Sequence, residues 1–203
     1  SPPYWGMRIY PGSETVWGGD KNCDHAWDRQ NIMLASAFCK KCGAWYGQLG
    51  LEPHYSLYIH NMLEVFDHIW RVLKQTGNVF MVINDTYSGS HMAKGDSTLF
   101  NNLKRKYIAE QVYDKPSPQG NIKDIRPKSL IGIPWRLAIA LMEKGWIVRD
   151  CIIWHSVNKM PESVKDRFSR KYEYIFHLVK NERYYFDMDM VREPYVSGDS
   201  LET

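Results

Sequence analysis

The sequence predicts an α/β fold: a mostly parallel sheet with an antiparallel hairpin at one edge, and a small metal-binding insertion near its start. Three observations predict it. A helix-period segment followed directly by an apolar strand run occurs twice, which argues for α/β layering. A further apolar run at 172–179 is followed, after a short Asn181-Glu182 connection, by strand-like residues 184–187, which suggests an edge hairpin. Two pairs of metal-ligand residues precede all of this.

The elements follow in order. Over residues 55–73, Tyr58, Met62, Val65, Phe66, Ile69, Val72 and Leu73 recur at helical spacing, with Pro53 near the start and Gly77 beyond the end. Residues 78–84 then form a continuous apolar run, the pattern of a strand buried on both faces. In the second unit Pro134 opens a helix through Leu137, Ala138, Leu141 and Met142, Gly145 closes it, and residues 146–154 supply the strand. Between the units, residues 88–126 carry Gly, Ser, Lys, Asn and Pro with little periodicity and read as a long loop. Residues 194–203 read as a frayed tail.

The whole chain, residues 1–203, fits one domain. With 44% hydrophobic and 24% charged residues it can bury a core, so fibrous and disordered classes are excluded. The balance of 26 basic against 23 acidic side chains permits a polyanionic partner without requiring one. No apolar stretch approaches the ~20 residues of a bilayer span, and the start lacks the pattern of a signal peptide. An intracellular protein with no membrane partner is expected.

Cysteines in such a chain are expected to be reduced, so their spacing is read for metal first. Cys23 and His25 form a C-x-H pair; Cys39 and Cys42 form a C-x-x-C pair followed by Gly43. Three sulfurs and one imidazole suit a closed tetrahedral zinc site with no open position, so residues 23–45 read as a structural zinc-knuckle insertion. The alternative is two buried thiols and a surface histidine. Cys151 lies inside an apolar strand and reads as an inert thiol.

The most specific short motif is Ser1-Pro2-Pro3-Tyr4. Consecutive prolines stiffen an extended backbone, and the tyrosine adds an aromatic face. Backbone carbonyls and the serine hydroxyl can accept from an exocyclic amine while Tyr4 stacks on its ring, although a proline pair is also common in plain linkers.

With Ser1-Pro2-Pro3-Tyr4, the segments Cys39-Lys40-Lys41-Cys42-Gly43-Ala44-Trp45, Leu49-Gly50-Leu51-Glu52-Pro53, Asn84-Asp85-Thr86-Tyr87, Leu130-Ile131-Gly132-Ile133-Pro134-Trp135-Arg136-Leu137, Met160-Pro161-Glu162-Ser163 and Tyr172-Glu173-Tyr174-Ile175-Phe176 occur in collinear order. In these segments the chain resembles the S-adenosylmethionine-dependent DNA amino-methyltransferases, and the serine form of the motif resembles their cytosine-N4 branch. The resemblance implies a partial Rossmann-like methyltransferase sheet, S-adenosylmethionine as cofactor and double-stranded DNA as partner. It also implies that Ser1, Pro2, Pro3 and Tyr4 grip a flipped base. Adenine N6 is the neighbouring alternative, and a non-catalytic zinc-stabilised DNA-binding module is a further one. The glycine-rich cofactor motif of the form F-x-G-x-G is not found after Phe186. The donor-binding part is therefore expected from further chain or from a second polypeptide, with Asp85 as a weak cofactor candidate. For DNA contact, Lys159, Arg167, Arg170 and Lys171, and the run Lys104, Arg105 and Lys106, are candidates. Interspersed Glu162, Asp166 and Glu173 are equally compatible with an ordinary solvated surface.

Overall fold

The computed structural model describes residues 1–10, 12–28, 37–89, 125–160 and 162–193. In chain order, three short strands, β1 (Thr15–Trp17), β2 (Ala37–Phe38) and β3 (Trp45–Gly47), precede helix α1 (Tyr55–Val72). Then come β4 (Asn78–Ile83), α2 (Ile133–Glu143), β5 (Ile147–His155), β6 (Tyr172–Val179) and the single turn α3 (Met188–Val191). The long elements fall almost residue for residue on the spans that periodicity predicts. Most of the long loop, the Lys104 to Lys106 run within it, and the tail lie outside the described residues.

Local chemistry explains the helix ends. The His54 ring accepts from the Ser56 N–H at the start of α1. Helix α2 begins after Gly132, whose left-handed φ of 79° turns the chain into the Pro134 turn. Tyr58, Met62 and Phe66 of α1 and Leu137, Ala138 and Leu141 of α2 pack on Met81 and Ile83 of β4 and on Tyr174, Phe176 and Leu178 of β6. Trp146, just ahead of β5, meets Phe66 and Trp70 edge-on, with ring centroids 5.6 and 4.9 Å apart.

The sheet departs from the expected pairing. β4 and β5 run in the same direction, as the repeated helix-strand order requires, but they are not neighbours. β6 lies between them and is antiparallel to both, giving the order β4-β6-β5. The described strands therefore form antiparallel sheets, not the expected mostly parallel one. Residues 184–187 form no hairpin strand. Both edges of β6 are already paired, so its hydrogen bonds are spent. Those residues instead reach the start of β4, where the Tyr185 N–H donates to the Thr76 carbonyl at 2.9 Å and the Asn78 amide donates to the Tyr185 carbonyl at 2.8 Å. β4 is also not buried on both faces: Phe80, on the side away from the helices, is 53% exposed.

A second, smaller antiparallel sheet of order β1-β3-β2 carries the cysteine insertion. Trp45 is its buried centre and pairs in register with both Trp17 and Phe38.

Candidate functional site

The Ser1 to Tyr4 segment is tied to its scaffold at several points. The Tyr58 hydroxyl donates to the Pro3 carbonyl at 2.9 Å, the Trp5 indole donates to the Glu52 carbonyl at 2.9 Å, and the Gly6 N–H donates to the Gly50 carbonyl at 2.6 Å. Trp5 is 1% exposed and is the plug that holds the segment on the core. Gly50 has φ +92°, and a β-carbon there would lie 3.0 Å from Pro3 Cβ and 3.3 Å from the Pro3 and Tyr4 carbonyl oxygens. Only glycine gives the segment this approach. Beneath it, the buried Glu52 carboxyl accepts from the Gly50 N–H at 2.9 Å and from the Asn61 amide at 3.0 Å. Burial pushes the Glu52 carboxyl up to about 7, against the lowering pull of Asn61 and the backbone N–H groups.

Tyr4 is half-buried, and its hydroxyl donates to Glu173 Oε2 at 3.2 Å. Burial is the first cause that raises the Tyr4 hydroxyl above its ordinary range; contact with Ser1 lowers it and the Glu173 charge raises it further. Ser1 is exposed, and Pro2 and Pro3 are half-buried.

A cleft of about 330 Å³ opens next to this segment, lined among others by Gly6, Met7, Asn84, Tyr87, Arg167 and Arg170. It sits where β4 ends and β6 begins. Lys159, Arg167 and Arg170 converge there. Lys159 donates to the Arg170 carbonyl at 2.5 Å, Arg167 pairs with Glu162 at 2.7 Å, and the Arg170 guanidinium donates to the Asp85 carbonyl. Both guanidinium groups lie over the Tyr87 ring, at 4.2 and 5.5 Å from its centroid. Arg170 Nη1 is shielded from solvent and has no acceptor among the described residues. Lys171 stays exposed and outside this cluster, as do Trp154 and His155 at the end of β5.

Asp85 is buried, and its carboxylate accepts from the N–H groups of Thr86, Gly132 and Ile133 at 2.8–3.1 Å. It thereby ties the end of β4 to the first turn of α2. Burial raises its pKa, and the three backbone donors and Arg170 oppose the rise.

The insertion brings its four predicted ligands together: one donor atom each from Cys23, His25, Cys39 and Cys42 lies within 4.8 Å of all the others. Cys23 and Cys39 sulfurs are 3.9 Å apart, and Cys42 Sγ is 3.4 Å from His25 Nδ1. Zn–S bonds near 2.3 Å in a tetrahedron give S···S edges of about 3.8 Å, so this donor set fits the ion. Gly43 makes the knuckle turn at φ +75°. For Cys39, burial raises the thiol, but N–H donors from Cys42 and Lys41 and the His25 ring outweigh it and bring the pKa to about 5. Burial, with sulfur contacts to Cys42 and Cys39, pushes Cys23 to about 12.

Glu173, compatible in sequence with a solvated surface, is instead half-buried on Tyr4, and the sequence patterns assign no site contact to Tyr58, Gly50 or Glu52. A carboxylate inside the apolar run Tyr172–Val179, and another just ahead of a helix, were the available signals.

The proline segment with its anchored tyrosine thus lies beside a cleft that Arg167 and Arg170 help to line, at one end of a sheet. Comparison with known proteins is more specific: the chain belongs to the DNA methylase family N6_N4_Mtase, which it matches over residues 1–203. It is 34% identical over 194 residues to the type II methyltransferase M.SmaI of Serratia marcescens, covering 96% of this chain and 52% of that protein. Similarity to M.Cfr9I of Citrobacter freundii is 34% over 199 residues, covering 98% and 52%. M.SfiI of Streptomyces fimbriatus is 30% identical over 202 residues, covering 100% of this chain and 35% of its own length. The chain thus spans about half the length of the first two relatives. Among the described residues no helix is long and apolar enough to cross a membrane.

Proposed function

We propose that this chain forms the base-gripping and DNA-facing part of a site-specific DNA methyltransferase that modifies the exocyclic N4 amine of a flipped cytosine. The observation that carries this reading is the Ser1-Pro2-Pro3-Tyr4 segment, fixed by Tyr58, Trp5 and Gly50 beside a cleft of about 330 Å³. The Pro3 carbonyl already accepts from Tyr58 and the Tyr4 carbonyl from the Met7 N–H, so the acceptors with both lone pairs open to a substrate amine are those of Ser1 and Pro2. Tyr4 supplies the ring face, and a duplex base reaches it only by extrusion. Adenosylmethionine, the donor, supplies a methyl group already activated on sulfonium. What these residues contribute is orientation of a weak nucleophile, with no covalent enzyme intermediate. Lys159, Arg167 and Arg170, which line the cleft, provide the phosphate contacts. The donor-binding residues are supplied by further chain or by a second polypeptide. Zinc at Cys23, His25, Cys39 and Cys42 has a structural role.

Incubating the chain, together with the further chain or polypeptide that carries the donor-binding residues, with duplex DNA and methyl-labelled adenosylmethionine, followed by nucleoside mass spectrometry, tests this. Labelled N4-methylcytosine is expected. Labelled N6-methyladenine moves the target to adenine, and DNA binding with no label on any nucleoside supports a non-catalytic binding module.

A further inference from the structure

Glu173 is the anomaly of β6. The strand Tyr172–Val179 is otherwise uncharged apart from His177, and it forms the centre of the sheet. A half-buried carboxylate there loses hydration and needs compensation. Yet among the described residues it has no ion-pair partner within 4.0 Å. Its hydrogen bonds instead run to Tyr4, whose hydroxyl donates to Oε2 at 3.2 Å, and to the Asn84 amide, a longer contact to Oε1 at 3.5 Å. Both partners line or adjoin the cleft, and Tyr4 is 169 residues away in sequence.

The Ser1 to Tyr4 backbone is already fixed by Tyr58, Trp5 and Gly50. Tyr4 also packs against the core, and what these contacts leave to be set is where its hydroxyl end points. A hydrogen bond at the far end of the ring sets it, and a charged acceptor makes that bond stronger than a neutral one. We propose that Glu173 is a positioning residue: its carboxylate, steadied by Asn84, holds the Tyr4 hydroxyl and so fixes the direction in which the ring projects to meet the target base. This rests on the reading of Tyr4 as a base-gripping residue. The tertiary fold supplies the pair, because β6 must lie between β4 and β5 for its first residues to reach the segment.

Two measurements on the full chain test it. In the first, the phenolate difference absorbance between the parent and Tyr4→Phe isolates Tyr4, and the same difference is taken in a Glu173→Gln background. Removing the negative acceptor is expected to shift Tyr4 ionisation to lower pH; an unmoved titration overturns the contact whether or not the chain transfers methyl groups. In the second, single-turnover methyl transfer, with the donor-binding part supplied, is compared for Tyr4→Phe, Glu173→Ala and the double variant. Each single change is expected to slow transfer roughly tenfold with little change in DNA Kd, the double to be no slower than the worse single, and Glu173→Gln to recover part of the rate. Multiplicative losses in the double variant, or a neutral Glu173→Ala, overturn the positioning role. If Tyr4→Ala leaves transfer unchanged, the base-gripping reading fails instead, and the titration still decides whether Glu173 holds Tyr4.

Discussion

Gly50 and Glu52 show how single residues set the site before any substrate arrives. Gly50 occupies left-handed backbone and lets Pro3 and Tyr4 pass at contact distance. Gly50→Ala should cost about 1–2 kcal/mol of stability from the left-handed conformation alone. It should also slow methyl transfer at least tenfold by displacing the Tyr4 carbonyl; thermal melting and single-turnover assays read the two effects separately. Glu52 makes a pH prediction. Its folded pKa is raised from 4.5 to about 7, so the folded state favours the neutral acid. The associated stability is complete below the unfolded value and is lost as pH rises through the interval to about 7. Glu52→Gln removes this dependence, and the Asn61 side-chain Oδ1, buried without a partner, can accept from the new amide once the Asn61 amide turns over. The Tm of Glu52→Gln relative to the parent should therefore climb between pH 5 and pH 8. A constant difference would mean that Glu52 is ionised throughout.

At the scale of elements, the knuckle and the sheet order carry the consequences. Cys39 and Cys42 flank the turn between β2 and β3, and β3 leads directly into Gln48, whose side chain accepts from the Tyr10 N–H at 2.5 Å and donates to the Arg8 carbonyl at 2.9 Å. A metal at the four ligands thus braces the strand from which the segment after Tyr4 hangs. Cys39→Ser with Cys42→Ser should remove one bound zinc per chain and lower Tm by roughly 5–10 °C, the shift made by about 2–3 kcal/mol in a chain of this size. Metal analysis and calorimetry check both. Equal Tm in parent and variant, with no metal in the parent, would leave the cysteines as packing residues.

For the molecule as a whole, the basic side chains that matter are those the fold gathers. Lys159, Arg167 and Arg170 line one cleft with Tyr87 at the end of β4, whereas Lys171, adjacent to Arg170, is exposed and not among its lining residues. Arg167→Ala and Arg170→Ala should each flatten the log-log salt dependence of duplex binding by about 0.9, the contribution of one lost phosphate contact. Lys171→Ala should leave the slope unchanged. Fluorescence titration across salt concentrations measures this, and equal effects at all three positions would mean a diffuse basic surface.

Periodicity and end signals in the sequence determined α1, β4, α2, β5 and β6, because those patterns depend on neighbours a few residues apart. Ligand spacing likewise made the four metal residues legible, and Ser1-Pro2-Pro3-Tyr4 was legible because proline stiffness is local. What the tertiary structure decided is every relation between distant segments. Strand pairing is one: nothing in residues 172–179 says that both edges will be occupied, so the expected hairpin with residues 184–187 could be excluded only once β4 and β5 were in place. Glu173 is another. Its sequence neighbours mark it as an oddity in an apolar run, and only the placement of β6 at the sheet centre puts its carboxylate 3.2 Å from Tyr4, since hydrogen bonds are set by position in space.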